Sequence, residues 1–202
     1  MTDIYTRFPP EPNGYIHLGH LKAMIFDFEK HLNCKCILRL DDTNPETETR
    51  EFADAIIDDV KWLNFNIYKI TYTSDYFDVL LEYAKDLIKH NKAYVDLTPA
   101  EQIKLQRKEC KESEYRSKPV EWNLQEFDNM ISGKYDDNEA VLRLKIDMNH
   151  INGTMRDPIA YRVKKTPHYK TNKKYVVYPS YDYSHGIVDA LENITYSYCT
   201  ME

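Results

Sequence analysis

The segment "PPEPNGYIHLGH" (9–20) constrains this chain more than any other, because it joins a strand-like "IYTRF" (4–8) to a helix-like stretch. In that stretch the apolar residues Leu21, Met24, Ile25, Phe28 and Leu32 recur at helical spacing, so a helix is expected to about residue 32. Three prolines and two glycines in the twelve positions exclude regular structure from most of the joint. A strand, a glycine-containing turn and a helix N-terminus form an arrangement suited to phosphate, since free N–H groups and the helix dipole meet the anion. Neither GxxxxGK[ST] nor GxGxxG occurs; "HLGH" stands in their place. His17 and His20 are one helical turn apart on one face, where two imidazoles could donate to oxygens whose charge grows in a transition state. Gly19 leaves room there for a flat ring. Zinc ligation with a third partner, or two surface histidines, are the other readings of the same spacing.

The first 70 residues read strand, loop, helix, strand, helix. "CKCILRL" (34–40) alternates as a strand, and "NPETETREFADAIIDDVKWL" starts a helix at Pro45 with the stripe Phe52, Ala53, Ile56, Ile57 and Val60. That order predicts an α/β fold with a doubly wound parallel sheet. From residue 71 to about 179 the pattern becomes mixed. A helix and short strand are followed by "TPAEQIKLQRKECKE" with a Thr98–Glu101 capping box, a helix after Pro119, a strand "AVLRLKIDM", a basic loop, and a strand "KYVVYP". Residues 71–179 are therefore expected as an inserted α+β domain, with 1–70 the first half of the nucleotide-binding fold. Residues 180–202, read as loop, helix and strand, would begin the second half, leaving the doubly wound domain unfinished.

Four cysteines, at 34, 36, 110 and 199, make neither a disulfide framework nor a zinc pattern, so reduced thiols in a cytoplasmic protein are expected. No apolar run of membrane-spanning length and no secretory leader occurs, which leaves a soluble chain. The net charge of -6 hides an asymmetry. Eight acids and one base lie between Asp41 and Asp59, whereas "YRVKKTPHYKTNKK" (161–174) holds six bases and no acid. Interleaved with tyrosines and a histidine, that run reads as a polyanion footprint or as a solvated loop.

"RFPPEPNGYIHLGH" resembles the HIGH signature of class I aminoacyl-tRNA synthetases, with Leu18 for isoleucine, and its flanks resemble the glutamine and glutamate branch. "LRLDDTNPE" (38–46), "YTSDYFD" (72–78), "AYVDLTPAEQ" (93–102), "LRLKIDM" (142–148), "MRDPIAYR" (155–162) and "YPSYDYSHGIVDALENITYSYCT" (178–200) are similar to that branch in order, covering nearly the whole chain. The resemblance implies a class I synthetase Rossmann-like fold with an inserted acceptor-stem-binding domain. It also implies ATP-dependent formation of an aminoacyl adenylate and transfer to the 2′-hydroxyl of the terminal adenosine of a tRNA. Mg²⁺ would arrive with ATP.

Carried over position by position, the resemblance implies ATP contacts from Glu11, Pro12, Asn13, His17, Leu18, Gly19, His20, Leu21, Lys22, Ala23 and Thr200, with His17 and His20 catalytic. Asp41 would accept the α-ammonium of the amino acid; on the residues alone Asp41 and Asp42 could both cap the helix expected at Pro45, and Asp42 is expected to do so. Arg7 would meet carboxylate or side-chain oxygen, and Tyr181 and His185 a side-chain amide. Arg162, Lys164, Lys165, Lys170, Lys173 and Lys174 would contact tRNA phosphates. Glutamate enzymes similar to this chain read "EAS" at Glu11–Asn13 and carry an arginine near Cys199. Without that cation a bound glutamate would keep a desolvated charge, so L-glutamine and tRNA(Gln) are the implied substrates. Glutamate, or a non-catalytic paralogue that binds RNA or nucleotide, are the alternatives. The family's KMSK-type loop is expected beyond Glu202, and the isolated chain is expected to turn over slowly.

Overall fold

The computed structural model describes residues 3–30 and 33–199. Two compact units divide the chain. One runs to Tyr76 and takes in His168–Lys170 and the chain from Gly186; the other comprises Phe77–Pro167 and Thr171–His185.

The first unit is built on three parallel strands in the order β1 (Tyr5–Phe8), β2 (Lys35–Leu40) and β3 (Ile67–Tyr72). Crossovers pass through α1 (Leu18–Met24) and α2 (Arg50–Trp62). β2 is central and almost wholly buried, which is why "CILRL" is so apolar. Phe8, Met24, Phe28, Leu38, Leu40, Ala53, Ile56 and Val60 form the core. Each large aliphatic side chain there contributes roughly 1.5–3 kcal/mol by burial. β3 was not expected as a strand: "IYKITY" is only partly covered, so its alternation is weak.

Two local expectations are corrected in this unit. α1 does not continue regularly, because Ile25–Glu29 form a π turn. The extra residue per turn shifts the phase, so Asp27 and Phe28 turn inward while Ile25 is exposed. α2 begins at Arg50, not at Pro45, because the Thr49 hydroxyl accepts the Phe52 N–H at 3.2 Å and supplies the cap. Upstream, the Glu48 carboxylate turns back to accept the Asn44 N–H at 2.9 Å, closing the Pro45 segment as a turn.

The second unit holds an antiparallel sheet in the order β4 (Ala93–Asp96), β5 (Val141–Leu144), β6 (Ile159–Val163) and β7 (Val177–Pro179). Its helices are α3 (Phe77–Lys89), α4 (Ala100–Glu109) and α5 (Val120–Ile131). β6 runs into the expected basic loop: Tyr161 and Val163 are buried, and Tyr161 lies opposite Leu142 and Pro179. The Thr98–Glu101 capping box does not form. α4 has no side-chain cap, and the Thr98 hydroxyl lies 3.3 Å from that of Ser113.

α6 (Tyr181–Leu191) begins directly after β7, with no intervening loop. No strand follows it among the described residues. Thr195 and Tyr196 both donate their N–H to the single carbonyl of Tyr5, which is not a ladder. No helix among the described residues is long and apolar enough to cross a membrane.

Candidate active site

The joint between β1 and α1 is held by its two histidines. His17 has an extended backbone and caps α1, its Nδ1 accepting the Gly19 N–H at 3.1 Å. The His17 N–H in turn donates to Nδ1 of His20 at 3.2 Å. The rings lie 4.0 Å apart between centroids. With both Nδ1 atoms used as acceptors, the ring proton of each sits on Nε2, which makes two Nε2–H donors one turn apart. The backbone therefore selects the same tautomer for both rings.

The proline lead-in ties this joint to the acidic turn after β2. The carbonyl of Pro10 accepts the Asp41 N–H at 2.9 Å, and that of Pro12 accepts the Thr49 N–H at 3.0 Å. Prolines give up donors but keep carbonyls, and here both carbonyls are used. Glu11 accepts from Asn13 Nδ2 at 2.8 Å. Tyr15 donates to Glu51 at 2.8 Å. A Cβ built on Gly14 would meet no heavy atom within 4 Å, so packing inside the chain gives no reason for glycine there.

In the acidic turn Asp41 is 4% exposed and its Oδ1 accepts from the Thr73 hydroxyl at 2.9 Å. Asp42 does not cap a helix. Fully buried, it accepts the Ser74 N–H at 2.8 Å, the Ser74 hydroxyl at 2.7 Å and the Tyr169 hydroxyl at 3.2 Å. Burial outweighs these bonds and pushes its carboxyl up to about 7. Glu48 is pushed up to about 9, by burial first and then by the charges of Asp42, Asp41 and Glu11. Four carboxyl groups thus share a field that a cation would relieve.

A family model described as "tRNA synthetases class I (E and Q), catalytic domain" matches residues 3–202. The chain belongs to this family. It is 51% identical, over 98% of its length, to "Probable glutamine--tRNA ligase" of Dictyostelium discoideum. It is 50% identical over the same share to "Glutamine--tRNA ligase, cytoplasmic" of Arabidopsis thaliana, and 50% identical over 100% of its length to "Glutamine--tRNA ligase" of Pseudomonas putida. The chain spans only 26%, 25% and 37% of those three relatives. In fold it is similar to a glutamate tRNA ligase from Elizabethkingia meningosepticum, with a TM-score of 0.67, 19% identity, and coverage of 97% of this chain and 43% of the other.

The remaining residues singled out by the class I resemblance fall in both units. Arg7 is buried in the first, where Nε donates to Asp189 at 3.3 Å, one Nη to the Tyr198 carbonyl at 3.1 Å and the other to the Ser197 hydroxyl at 2.5 Å. Arg39, unmarked by sequence reasoning, shares Asp189 at 2.5 Å and pairs with Glu192 at 2.8 Å. An arginine inside the apolar "ILRL" was the available signal, since a buried charge needs a partner. Tyr181 and His185 lie in the second unit, a turn apart on α6 with ring centroids 4.6 Å apart. Thr200 lies outside the described residues.

Among the basic residues, Lys165 pairs with Asp136, and Lys174 with Asp78 at 2.8 Å. Arg162 stands on β6, with Lys164 just after it, and Lys173 is exposed. These five belong to the second unit. Lys170 belongs to the first, pairs with Asp75 and lies 3.7 Å from the Tyr72 ring centroid. Among the described residues no group of three or more His, Cys, Asp or Glu is placed to hold a metal ion.

Proposed function

We propose that the protein carrying this chain is a glutamine–tRNA ligase, in which these residues supply the activation site. The observation that carries the reading is one lead-in holding two imidazole Nε2–H donors at one end and the Asp41 turn at the other. Half-identity to proteins named glutamine–tRNA ligase supports it.

In this reading ATP, carried with Mg²⁺ on its phosphates, lies along Glu11–Asn13 and His17–Ala23, with Thr200 at the adenosine. A glutamine carboxylate oxygen attacks the α-phosphorus, the bond to pyrophosphate breaks, and glutaminyl adenylate forms. The Nε2–H groups of His17 and His20 donate to the α-phosphate oxygens as charge gathers there. Asp41 takes the α-ammonium as a charge-assisted pair. Arg7 is assigned to carboxylate or side-chain oxygen, and Tyr181 and His185 to the side-chain amide. The 2′-hydroxyl of the terminal adenosine of tRNA(Gln) then attacks the carbonyl carbon, and AMP leaves.

The second unit is assigned as the acceptor-stem-binding insertion. Arg162, Lys164, Lys165, Lys173 and Lys174 meet phosphates there, and Lys170 does so from the first unit. Cytoplasmic location accords with the name of the Arabidopsis relative. Charging assays on the full-length protein with purified tRNA and each amino acid test the assignment. Glutamine is expected on tRNA(Gln), and charging of glutamate, or of neither, overturns it.

A further inference from the structure

Three residues in the middle of the basic run, His168–Lys170, belong to the first unit, while the chain on either side belongs to the second. Composition marks them as part of a polyanion surface; the structure gives two of them another task. His168 is buried, and its Nδ1 accepts the Lys170 N–H at 3.2 Å. Its proton therefore sits on Nε2, which donates to the main-chain carbonyl of Asp42 at 3.0 Å and lies 3.6 Å from that residue's Oδ2. Burial holds the imidazole below its ordinary pKa, so the ring acts as a neutral donor.

The Tyr169 ring stacks on His168 at 4.8 Å, and its hydroxyl donates to Asp42 Oδ2 at 3.2 Å. Arg50 holds the Tyr169 carbonyl at 3.3 Å. Asp42 is thus gripped at its carbonyl by His168 and at its side chain by Tyr169 and Ser74. On the other side Asp41 is anchored through its N–H to Pro10 and through Oδ1 to Thr73. Rotation of the Asp41–Asp42 pair would break several of these bonds together.

We propose that His168 and Tyr169 are positioning residues for the amino-acid substrate, clamping Asp42 so that the adjoining Asp41 carboxylate is held in the orientation that receives an α-ammonium group. This rests on the assignment of Asp41 given above. Both residues act through Asp42, so their removal should weaken amino-acid binding while leaving ATP binding nearly alone.

The test is amino-acid-dependent ATP–pyrophosphate exchange by the full-length protein with tRNA present, titrating glutamine and ATP separately. His168→Leu removes both ring nitrogens and should raise the glutamine KM on the order of tenfold, with the ATP KM changed less than about twofold. His168→Gln places an amide donor near the Nε2 position and should recover most of the loss. Tyr169→Phe keeps the stack, loses one bond and should raise the glutamine KM by roughly three- to fivefold.

An unchanged glutamine KM in His168→Leu, a parallel rise in both KM values, or no recovery in a folded His168→Gln overturns the clamp. If His168→Leu does not fold, Tyr169→Phe decides, and an unchanged glutamine KM there overturns it. Should the wild type use glutamate, the substrate assignment fails and the same comparison on glutamate decides the clamp, since the ammonium group is identical. No exchange with either amino acid sinks both.

Discussion

Both units bury paired arginines, but they treat their remaining acids differently. In the second, Arg143 is fully buried with Asp96 at 2.7 Å, its Nε donates to the Asp157 carbonyl at 2.8 Å, and Asp157 is bonded by Arg116 and Tyr94. Outside that unit's interior, Asp78 and Glu126 are both lowered, Asp78 with hydrogen bonds from Lys174 and Tyr175, and Glu126, despite burial, with those from Tyr135 and Asn129. In the first unit Asp27, Asp42 and Glu48 are all raised, to about 7, 7 and 9. Burial is the leading cause for each of the three. Arg39 with Glu192 in the first unit and Arg143 with Asp96 in the second are buried pairs of one kind. The first unit alone also keeps buried acids whose pKa values are raised, at a cost to stability.

That contrast can be broken most directly by Asp96→Ala, which strands a buried guanidinium. A loss of about 3–5 kcal/mol in urea denaturation is expected, and a loss below about 1 kcal/mol would show that the pair does not organise its sheet. In the first unit Asp27→Asn should act in the opposite direction. Asp27 is buried, its Oδ1 lacks a hydrogen-bond partner, and its folded pKa of about 7 exceeds the ordinary 3.8. The folded state therefore holds this proton more tightly, and wild-type stability falls as pH rises from about 4 to about 7. The asparagine variant should match wild type within about 1 kcal/mol near pH 4 and exceed it at pH 8 by about 3–4 kcal/mol. Thermal melts at the two pH values check this, and equal melting shifts would contradict the assigned burden.

Thr49→Ala should cost about 1 kcal/mol through loss of the α2 cap, readable as a lower urea midpoint with unchanged slope. Thr98→Ala in the second unit removes no cap and should leave α4 helicity unchanged by circular dichroism. The smallest effect is expected at the exposed pairs. Lys165→Ala and Lys174→Ala should leave the melting midpoint in place, while each lowers the salt dependence of tRNA binding by about one unit of slope. A salt slope equal to wild type would show that both lysines serve only their carboxylate partners.

Periodicity revealed β2, α2 and the start of α1 because each carries an apolar pattern against a common core. β3 and β6 were hidden for different reasons: "IYKITY" is half covered, and "IAYRV" leads directly into cations that read as loop. The capping box at Thr98 satisfied a local rule, yet its hydroxyl finds Ser113, fifteen residues away. Of the site, "HLGH" and the acidic turn were legible because their chemistry is contiguous in the chain. The Arg7–Asp189–Arg39 network was not, since Asp189 lies 150 or more residues from either arginine.

By itself the sequence determined the family, through a resemblance that runs along nearly the whole chain, and the parallel-sheet half-fold and the place of the paired histidines, which depend on spacing within a few turns. Only tertiary structure decided what each buried polar group is paired with. It placed the proton of both histidines on Nε2, turned Asp42 from an expected cap into the held end of a clamp, and brought His168 to it across 126 residues. Hydrogen bonds in a water-excluded interior are chosen by whichever donor the folded chain delivers, and a linear pattern does not encode that delivery.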